Sequence, residues 1–229
     1  TSQHHPPPGL PPFGGTPIIW IGLGVVIAGA LAGGFILYHR RKFMNAVESG
    51  AIMVSTRPIQ TNQGAFPNLD EIAGVVAPYY SGDLEIFKAL MRIAIEIARE
   101  GREGKPIGTA FILGDCDAVL ERSRQLILNP VAGHSEDERL VTSSDMRENI
   151  KELSLVDGAF VIRENGIVEA AGRYISIDTS GVRLPKGFGT RHVSVAAITQ
   201  ETDAIGIVVS ESGGLVRVFA QGNVIVETM

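Results

Sequence analysis

Residues 157–170 read DGAFVIRENGIVEA and contain two apolar runs separated by a short polar segment. The runs cover Ala159 to Arg163 and Ile167 to Ala170, and each has the composition of a β-strand. The intervening Glu164-Asn165-Gly166 has the composition of a hairpin turn. Two strands joined by a short turn are antiparallel, so the segment predicts a sheet that is not all-parallel.

Helices and further strands are predicted on both sides of this hairpin. Residues 83–99 (DLEIFKALMRIAIEIAR) place apolar side chains three and four positions apart, as on one face of a helix. Two more helices are predicted, near Asp117 to Leu128 and over Ser144 to Leu155, the second capped by Ser144 or Asp145. The other candidate strands are Ile107 to Leu113, Ala204 to Val209, Leu215 to Phe219 and Val224 to Val226. The expected fold is α/β, a mixed and partly antiparallel sheet surrounded by helices.

A long apolar run near the beginning of the sequence predicts a membrane anchor. Residues 1–17 are rich in Pro and Gly and are expected to form a disordered tail. Ile18 to Tyr38 is a run of about 21 apolar residues, which as a helix spans roughly 30 Å, the thickness of a bilayer core. A signal-peptide core is the alternative, but a basic leader and a small-residue cleavage site are missing. We therefore expect one N-terminal transmembrane helix at residues 18–38.

The residues after this run predict its orientation. His39-Arg40-Arg41-Lys42 follows directly, and positive residues stay on the cytoplasmic side of a membrane. The prediction is a single-pass protein of the cell membrane with a cytoplasmic domain. Residues 39–82 mix prolines with polar residues and are interpreted as a linker or juxtamembrane region. The main domain is expected at residues 83–229.

Composition excludes several classes of function. The 229-residue chain has a formal net charge of −5, so the basic field that attracts nucleic-acid backbones is missing and no nucleic-acid polymer is expected as a partner. Cys116 is the only cysteine and cannot form an intrachain disulfide. A GxxxxGK[ST] phosphate loop and a GxSxG nucleophile motif are also missing. The common signatures of nucleotide hydrolases and serine hydrolases therefore do not apply.

Three polar clusters lie at the edges of predicted elements. Asp157-Gly158-Ala159 puts a carboxylate at the start of an apolar strand, where it can hold a divalent cation, although Asp-Gly is also an ordinary turn. Gly187 to His192 precedes a helical run, so backbone N–H groups and an arginine fork can meet a phosphate there. A simple capped helix is the alternative. Ser210 to Gly214 follows a strand and is either part of the same site or a polar hairpin turn.

Taken together and in this order, these segments resemble the diadenylate cyclase family. The resemblance runs from about Leu84 to Glu227. It rests on GKPIGT at 104–109, Asn129-Pro130, Gly133, DGAFVI at 157–162, GTRH at 189–192 and VVSE at 208–211. A single N-terminal span before a cytoplasmic domain is also similar to membrane-anchored members of the family.

The resemblance implies a nucleotidyltransferase that condenses two ATP molecules into the second messenger cyclic di-AMP and releases two pyrophosphates. It further implies a divalent metal, Mn²⁺ or Mg²⁺, and a homodimer in which two ATP-loaded subunits meet face to face. Residues 83–229 would then be the catalytic domain. These properties are expectations from the family and not from composition or spacing.

Carried over to this sequence, the family pattern implies roles for individual residues. Asp157, Arg191 and His192 would be catalytic, and Asp157 and His192 would bind the metal. The ATP-binding residues would be Gly158, Ala159, Tyr174, Ile175, Thr190, Arg191, Ser210 and Glu211. Val193 stands where the family often has a second arginine, and Ser212 where it often has a second glutamate. These departures leave open a catalytically degenerate, membrane-tethered nucleotide sensor of the same fold. A membrane scaffold that binds a protein partner is a third interpretation.

Overall fold

A seven-stranded sheet forms the centre of the domain. The computed structural model describes residues 66–228 except Glu103 and Lys186. The strands are β1 (Thr109–Leu113), β2 (Ser123–Gln125), β3 (Ala159–Ile162), β4 (Val168–Ile175), β5 (Ile205–Val209), β6 (Val216–Ala220) and β7 (Asn223–Thr228). Their order in the sheet is β2-β4-β3-β1-β5-β6-β7. β1 and β3 are parallel, and the other neighbouring pairs are antiparallel. The prediction of a mixed, partly antiparallel sheet is therefore confirmed.

Helices cover both faces of this sheet. They are α1 (Leu69–Val76), α2 (Leu84–Glu100), α3 (Cys116–Glu121), α4 (Ser144–Leu153) and α5 (Thr190–Glu201), with a short 3-10 helix at Asp137–Arg139. Side chains on a strand alternate between faces. On β1, Phe111 packs into the core beneath α1, α2 and α4, whereas Ala110 and Ile112 pack on the face that carries α3 and α5.

The long helix α2 confirms the prediction for residues 83–99. The side chain of Asp83 caps it by accepting a hydrogen bond of 2.8 Å from the Glu85 amide. The helix ends before Gly101, whose φ of +57° is in the left-handed region that glycine tolerates. Most of its apolar face is buried against the sheet, as the three-and-four spacing requires, and Leu84 and Ala98 near its two ends are partly buried.

Part of the predicted linker belongs to this core. The Asn68 side chain caps α1 by accepting hydrogen bonds from the Asp70 and Glu71 amides. Ile72 and Val76 on this helix are fully buried in the same core as α2. Burial of this apolar face fixes α1 on the domain. The folded part of the chain thus includes residues that precede Asp83.

The region after β1 differs from its predicted helix. The helical pattern predicted one helix from Asp117 to Leu128, but α3 ends at Glu121 and β2 begins at Ser123. β2 pairs with the last residues of β4, which extends to Ile175 and not only to Ala170. Pairing with a distant strand overrides local helix preference here.

The beginning of α4 also differs from its prediction. Its N-cap residue is Ser143, and that side chain makes no capping hydrogen bond. The predicted caps, Ser144 and Asp145, lie within the helix, and the Ser144 hydroxyl donates to the Asp145 carboxylate at 3.3 Å. The hydroxyl is thereby engaged by a neighbouring side chain.

The predicted tail at 1–17, the predicted membrane span at 18–38 and most of the linker lie outside the described residues. Across the described part of the chain, from residue 66 onward, no helix has both the length and the apolar character needed to cross a bilayer.

Candidate active site

A cleft of about 350 Å³ opens at the end of the sheet where the interior strands β1 and β3 begin and β4 ends. Sites for small ligands typically have volumes of about 300 to 1,000 Å³. The cleft is lined by Ala110, Leu126, Asp157, Gly158, Ala159, Arg173, Tyr174, Ile175, Thr190, Arg191, Ser194 and Val195. It therefore brings together seven of the ten residues predicted for the site.

Two small side chains on adjacent strands contribute to the wall of the cleft. Ala110 on β1 and Ala159 on β3 are directly paired in the parallel register, and both line the cleft. Neighbouring positions on these strands carry larger residues such as Phe111 and Phe160, which point to the opposite face of the sheet. The paired alanines leave space beside the sheet on the side of α5.

Gly158 is required by the backbone around it. Its φ is +107°, and a Cβ at this position would lie 2.6 Å from the Arg173 nitrogen and from the Gly172 carbonyl carbon. Contacts this short with backbone atoms cannot be relieved by rotating a side chain. The family resemblance accounts for this glycine by a role in ATP binding. The structure gives a different reason, which is the close approach of β4.

The acidic and basic residues predicted for the site lie next to each other. Arg191 Nη2 is 3.8 Å from Asp157 Oδ1, and the Asp157 side chain is 94% exposed. The Arg191 guanidinium also passes close to Gly108, where an added Cβ would lie 2.6 Å from Nη1. Because solvent reaches this ion pair, it contributes little to stability. Both side chains are available to a ligand in the cleft.

The first turn of α5 forms the other side of the cleft. Gly189 is its N-cap and supplies no side-chain hydrogen bond to the first N–H groups of the helix. Thr190 and Arg191 line the cleft from this turn, and Ser194 does so from the next turn. N–H groups at a helix start, together with an arginine, form a favourable environment for a phosphate.

His192 faces away from the cleft. It is 7% exposed, packs edge-on against Phe188 and Phe219, and is not among the cleft-lining residues. Its Nε2 lies 3.1 Å from Arg217 Nη1, and arginine only donates hydrogen bonds. Nε2 is therefore the unprotonated acceptor. Burial, reinforced by the charges of Arg217 and Arg191, lowers the pKa of His192 to about 4, so the ring is neutral at pH 7.

The other predicted ATP-binding residues divide between the cleft and its surroundings. Tyr174 and Ile175 line the cleft, and the Arg124 guanidinium lies 4.9 Å from the centre of the Tyr174 ring. The Ser210 hydroxyl donates to the Ser212 carbonyl at 3.1 Å within the turn between β5 and β6. Glu211 is exposed, and its Cβ lies beside Gly108. Neither Ser210 nor Glu211 lines the cleft.

Arg173 is the main cleft residue that sequence reasoning missed. Its guanidinium donates to the Ser123 hydroxyl at 2.8 Å, to the Ser123 carbonyl at 2.6 Å and to the Leu120 carbonyl at 2.9 Å. These bonds join the end of β4 to α3 and β2. Because β2 was predicted as helix, no local pattern placed its residues beside Arg173.

A divalent cation fits this arrangement through Asp157 alone. Within residues 66–228, no three His, Cys, Asp or Glu side chains form a group able to hold a metal. Mg²⁺ is commonly bound by one or two carboxylates together with the phosphates of a substrate, so one exposed carboxylate suits it. His192 does not contribute in this arrangement, because its Nε2 contacts a cationic arginine.

Comparison with known proteins identifies the family. The family described as "DisA bacterial checkpoint controller nucleotide-binding" (DAC) matches residues 96–224, which is more than half of the chain. The chain therefore belongs to this family, the diadenylate cyclase family.

Two relatives named "Diadenylate cyclase" are similar over the same region. The protein from Methanocaldococcus jannaschii is 46% identical over 141 residues, which are 62% of this chain and 44% of the relative. The protein from Haloferax volcanii is 40% identical over 145 residues, which are 63% of this chain and 53% of the relative. The chain thus spans about half the length of the relatives it matches.

Among solved structures, DacA from Staphylococcus aureus, crystallised as a double mutant, is similar at 20% identity with a TM-score of 0.40. The alignment covers 61% of this chain and 84% of that chain.

Proposed function

We propose that this protein is a diadenylate cyclase that condenses two ATP molecules into cyclic di-AMP and releases two pyrophosphates. The observation that carries the proposal is the 3.8 Å separation of Asp157 and Arg191 at the mouth of a cleft beside a helix start. Phosphoryl transfer depends chiefly on positioning the reactants and on neutralising the phosphate charge. Asp157 supplies a carboxylate ligand for a metal cation, and Arg191 supplies a positive charge of its own.

We propose one orientation for ATP in the cleft. The N–H groups of α5, the Thr190 hydroxyl and the Arg191 guanidinium bind the phosphates. Tyr174 and Ile175, on the opposite wall, flank the adenine. Asp157 would hold Mn²⁺ or Mg²⁺, which when bound neutralises phosphate charge. The 3'-hydroxyl of each ATP then attacks the α-phosphate of the other, so that two phosphodiester bonds form, two pyrophosphates leave and the two hydroxyl protons are released to solvent.

A cyclic product with two adenosines requires two ATP molecules, and we propose that two subunits bring their clefts together. Exposed apolar side chains at the cleft-lining residues Leu126 and Tyr174, and two residues after Leu126, support this arrangement. Leu126 is 40% exposed, Leu128 is 93% exposed and Tyr174 is 50% exposed. Apolar side chains grouped on a surface favour burial against a partner. Anchoring by residues 18–38 and a cytoplasmic location of the domain remain part of the proposal.

The test is incubation of the full chain with ATP and either Mn²⁺ or Mg²⁺, followed by chromatography for cyclic di-AMP and pyrophosphate. We expect product that rises more than linearly with protein concentration, because two subunits must meet. Asp157→Asn should abolish product, and the matched control Asp117→Asn, an exposed carboxylate on α3, should not. Absence of product with both metals at high protein concentration would refute the proposal.

A nucleotide sensor without turnover is the second candidate. Two observations favour it, because His192 contacts Arg217 and the Ser210 hydroxyl is used within its own turn. A sensor would bind an ATP analogue or cyclic di-AMP in calorimetry and release no pyrophosphate from ATP.

A further inference from the structure

Arg217, on β6, contacts the two residues that flank Gly189, Thr190 and Arg191 in the sequence. Its guanidinium is 4.7 Å from the centre of the Phe188 ring, and its Nη1 is 3.1 Å from His192 Nε2. Phe188 and His192 stand immediately outside the Gly189-Thr190-Arg191 segment, one on each side. One guanidinium therefore holds both ends of the segment that forms the phosphate side of the cleft.

Arg217 is itself held in place by the neighbouring strand. Glu227 on β7 is its direct partner in the antiparallel register, and Arg217 Nε is 2.5 Å from Glu227 Oε2. The Arg217 side chain is 12% exposed and that of Glu227 is 29% exposed, so this pair is less screened by water than a surface ion pair. The planar fork of arginine lets it bind a carboxylate through one edge and still donate to His192 through another nitrogen.

We infer that Arg217, oriented by Glu227, is a positioning residue that fixes the Phe188 to His192 segment and thereby places Thr190 and Arg191 against the phosphates of the nucleotide. Arg217 does not line the cleft, so it acts through its neighbours. The inference rests on the proposed function for the identity of the ligand. The contacts themselves do not depend on it.

His192 has a structural role in this arrangement. Its ring is neutral, and Nε2 accepts a hydrogen bond from Arg217. The ring packs against those of Phe188 and Phe219. The same contacts explain why a histidine beside two arginines is tolerated, since the neutral ring adds no third positive charge. The acidic Glu227 offsets the charge of Arg217.

The test uses the full chain with Arg217→Met, which keeps an unbranched apolar stem and removes the guanidinium with its charge and hydrogen bonds. Hydrogen–deuterium exchange of the peptide covering residues 187–195 should become faster by about 10-fold or more, since local opening is easier. The KM for ATP should rise by about 10-fold to 100-fold, because displacement of positioning groups weakens binding. Arg217→Lys should give an intermediate exchange rate, and Glu227→Gln should change both quantities in the same direction.

The matched control is Arg163→Met, which removes an arginine that pairs with Glu136 and Glu169 away from the cleft. It should leave both exchange at 187–195 and the KM unchanged. If Arg217→Met lowers kcat with an unchanged KM, its role is merely structural and the inference is wrong. Unchanged exchange in the 187–195 peptide overturns it as well. If the wild type makes no cyclic di-AMP, the proposed function fails, and the exchange measurement alone decides the role of Arg217.

Discussion

The substitution Gly158→Ala tests whether the cleft depends on close contact between two backbones. An added methyl group would lie 2.6 Å from the Arg173 nitrogen and 2.9 Å from the Arg173 oxygen, and the φ of +107° would have to be kept. The unfavourable φ costs about 1 to 3 kcal/mol. The close contact of the methyl group with backbone atoms, which cannot move aside as a side chain can, destabilises the fold by about 1 to 3 kcal/mol more. We therefore expect a loss of about 2 to 6 kcal/mol, a large part of a typical stability of about 5 to 15 kcal/mol.

The assay is urea unfolding of the full chain, followed by far-ultraviolet circular dichroism, with two control glycines. Gly133 has a φ of +85° and open space where a Cβ would be. Gly133→Ala therefore measures the loss of stability that the positive φ causes alone, without overpacking. Gly181 has open space and no such φ, so Gly181→Ala should be close to neutral. If Gly158→Ala is no less stable than Gly133→Ala, the close approach of β4 is not a constraint and the explanation for this glycine is refuted.

Four further predictions concern the cleft and its surroundings. Because folding lowers the pKa of His192 from 6.5 to about 4, the contribution of the neutral ring to stability should be complete above pH 6.5 and be lost as pH falls towards 4. This loss, about 3 kcal/mol, should be missing in His192→Gln when urea midpoints are compared across this range. Arg191→Met should change stability by less than about 1 kcal/mol because the ion pair is exposed, yet weaken binding of an ATP analogue in calorimetry. Ala110→Val should fill part of the cleft and raise the KM for ATP; because Ala110 is 1% exposed, the added methyl groups should also lower stability by about 1 to 3 kcal/mol. Leu128→Glu should raise the protein concentration needed for half-maximal product formation, since this side chain is 93% exposed and lies two residues after Leu126, which lines the cleft; an unchanged concentration dependence would exclude it from the contact between subunits.

Sequence patterns predicted the elements whose local signals agree with their surroundings. The spacing of apolar residues in α2 and the hairpin turn at Glu164-Asn165-Gly166 were sufficient, because both arise within a short segment. The Arg163 amide donates to the Ile167 carbonyl at 2.9 Å, and Gly166 has a φ of +85°, as a tight turn requires. At this turn, the structure that the local sequence favours is the structure that the chain adopts.

The strand β2 was missed because no short-range signal specifies it. Its three residues are stabilised by pairing with β4 about 50 positions later and by the hydrogen bonds of Arg173 to Ser123. Without β2, the position of Arg173 and Leu126 beside the cleft was not predictable. The wall that carries Tyr174 was consequently inferred from family resemblance and not from the pattern of residues.

Helix geometry explains why the Thr190-Arg191-His192 motif does not act as one surface. Successive residues on an α-helix are rotated by about 100°, so three in a row cannot all face one ligand. Thr190 and Arg191 line the cleft and Ser194, one turn further on, does so as well, whereas His192 turns towards Phe219 and Arg217 on β6. The motif therefore joins two tasks, contact with the ligand and attachment of the helix to the sheet, and a substitution at His192 should act on the ligand only through the position of its neighbours.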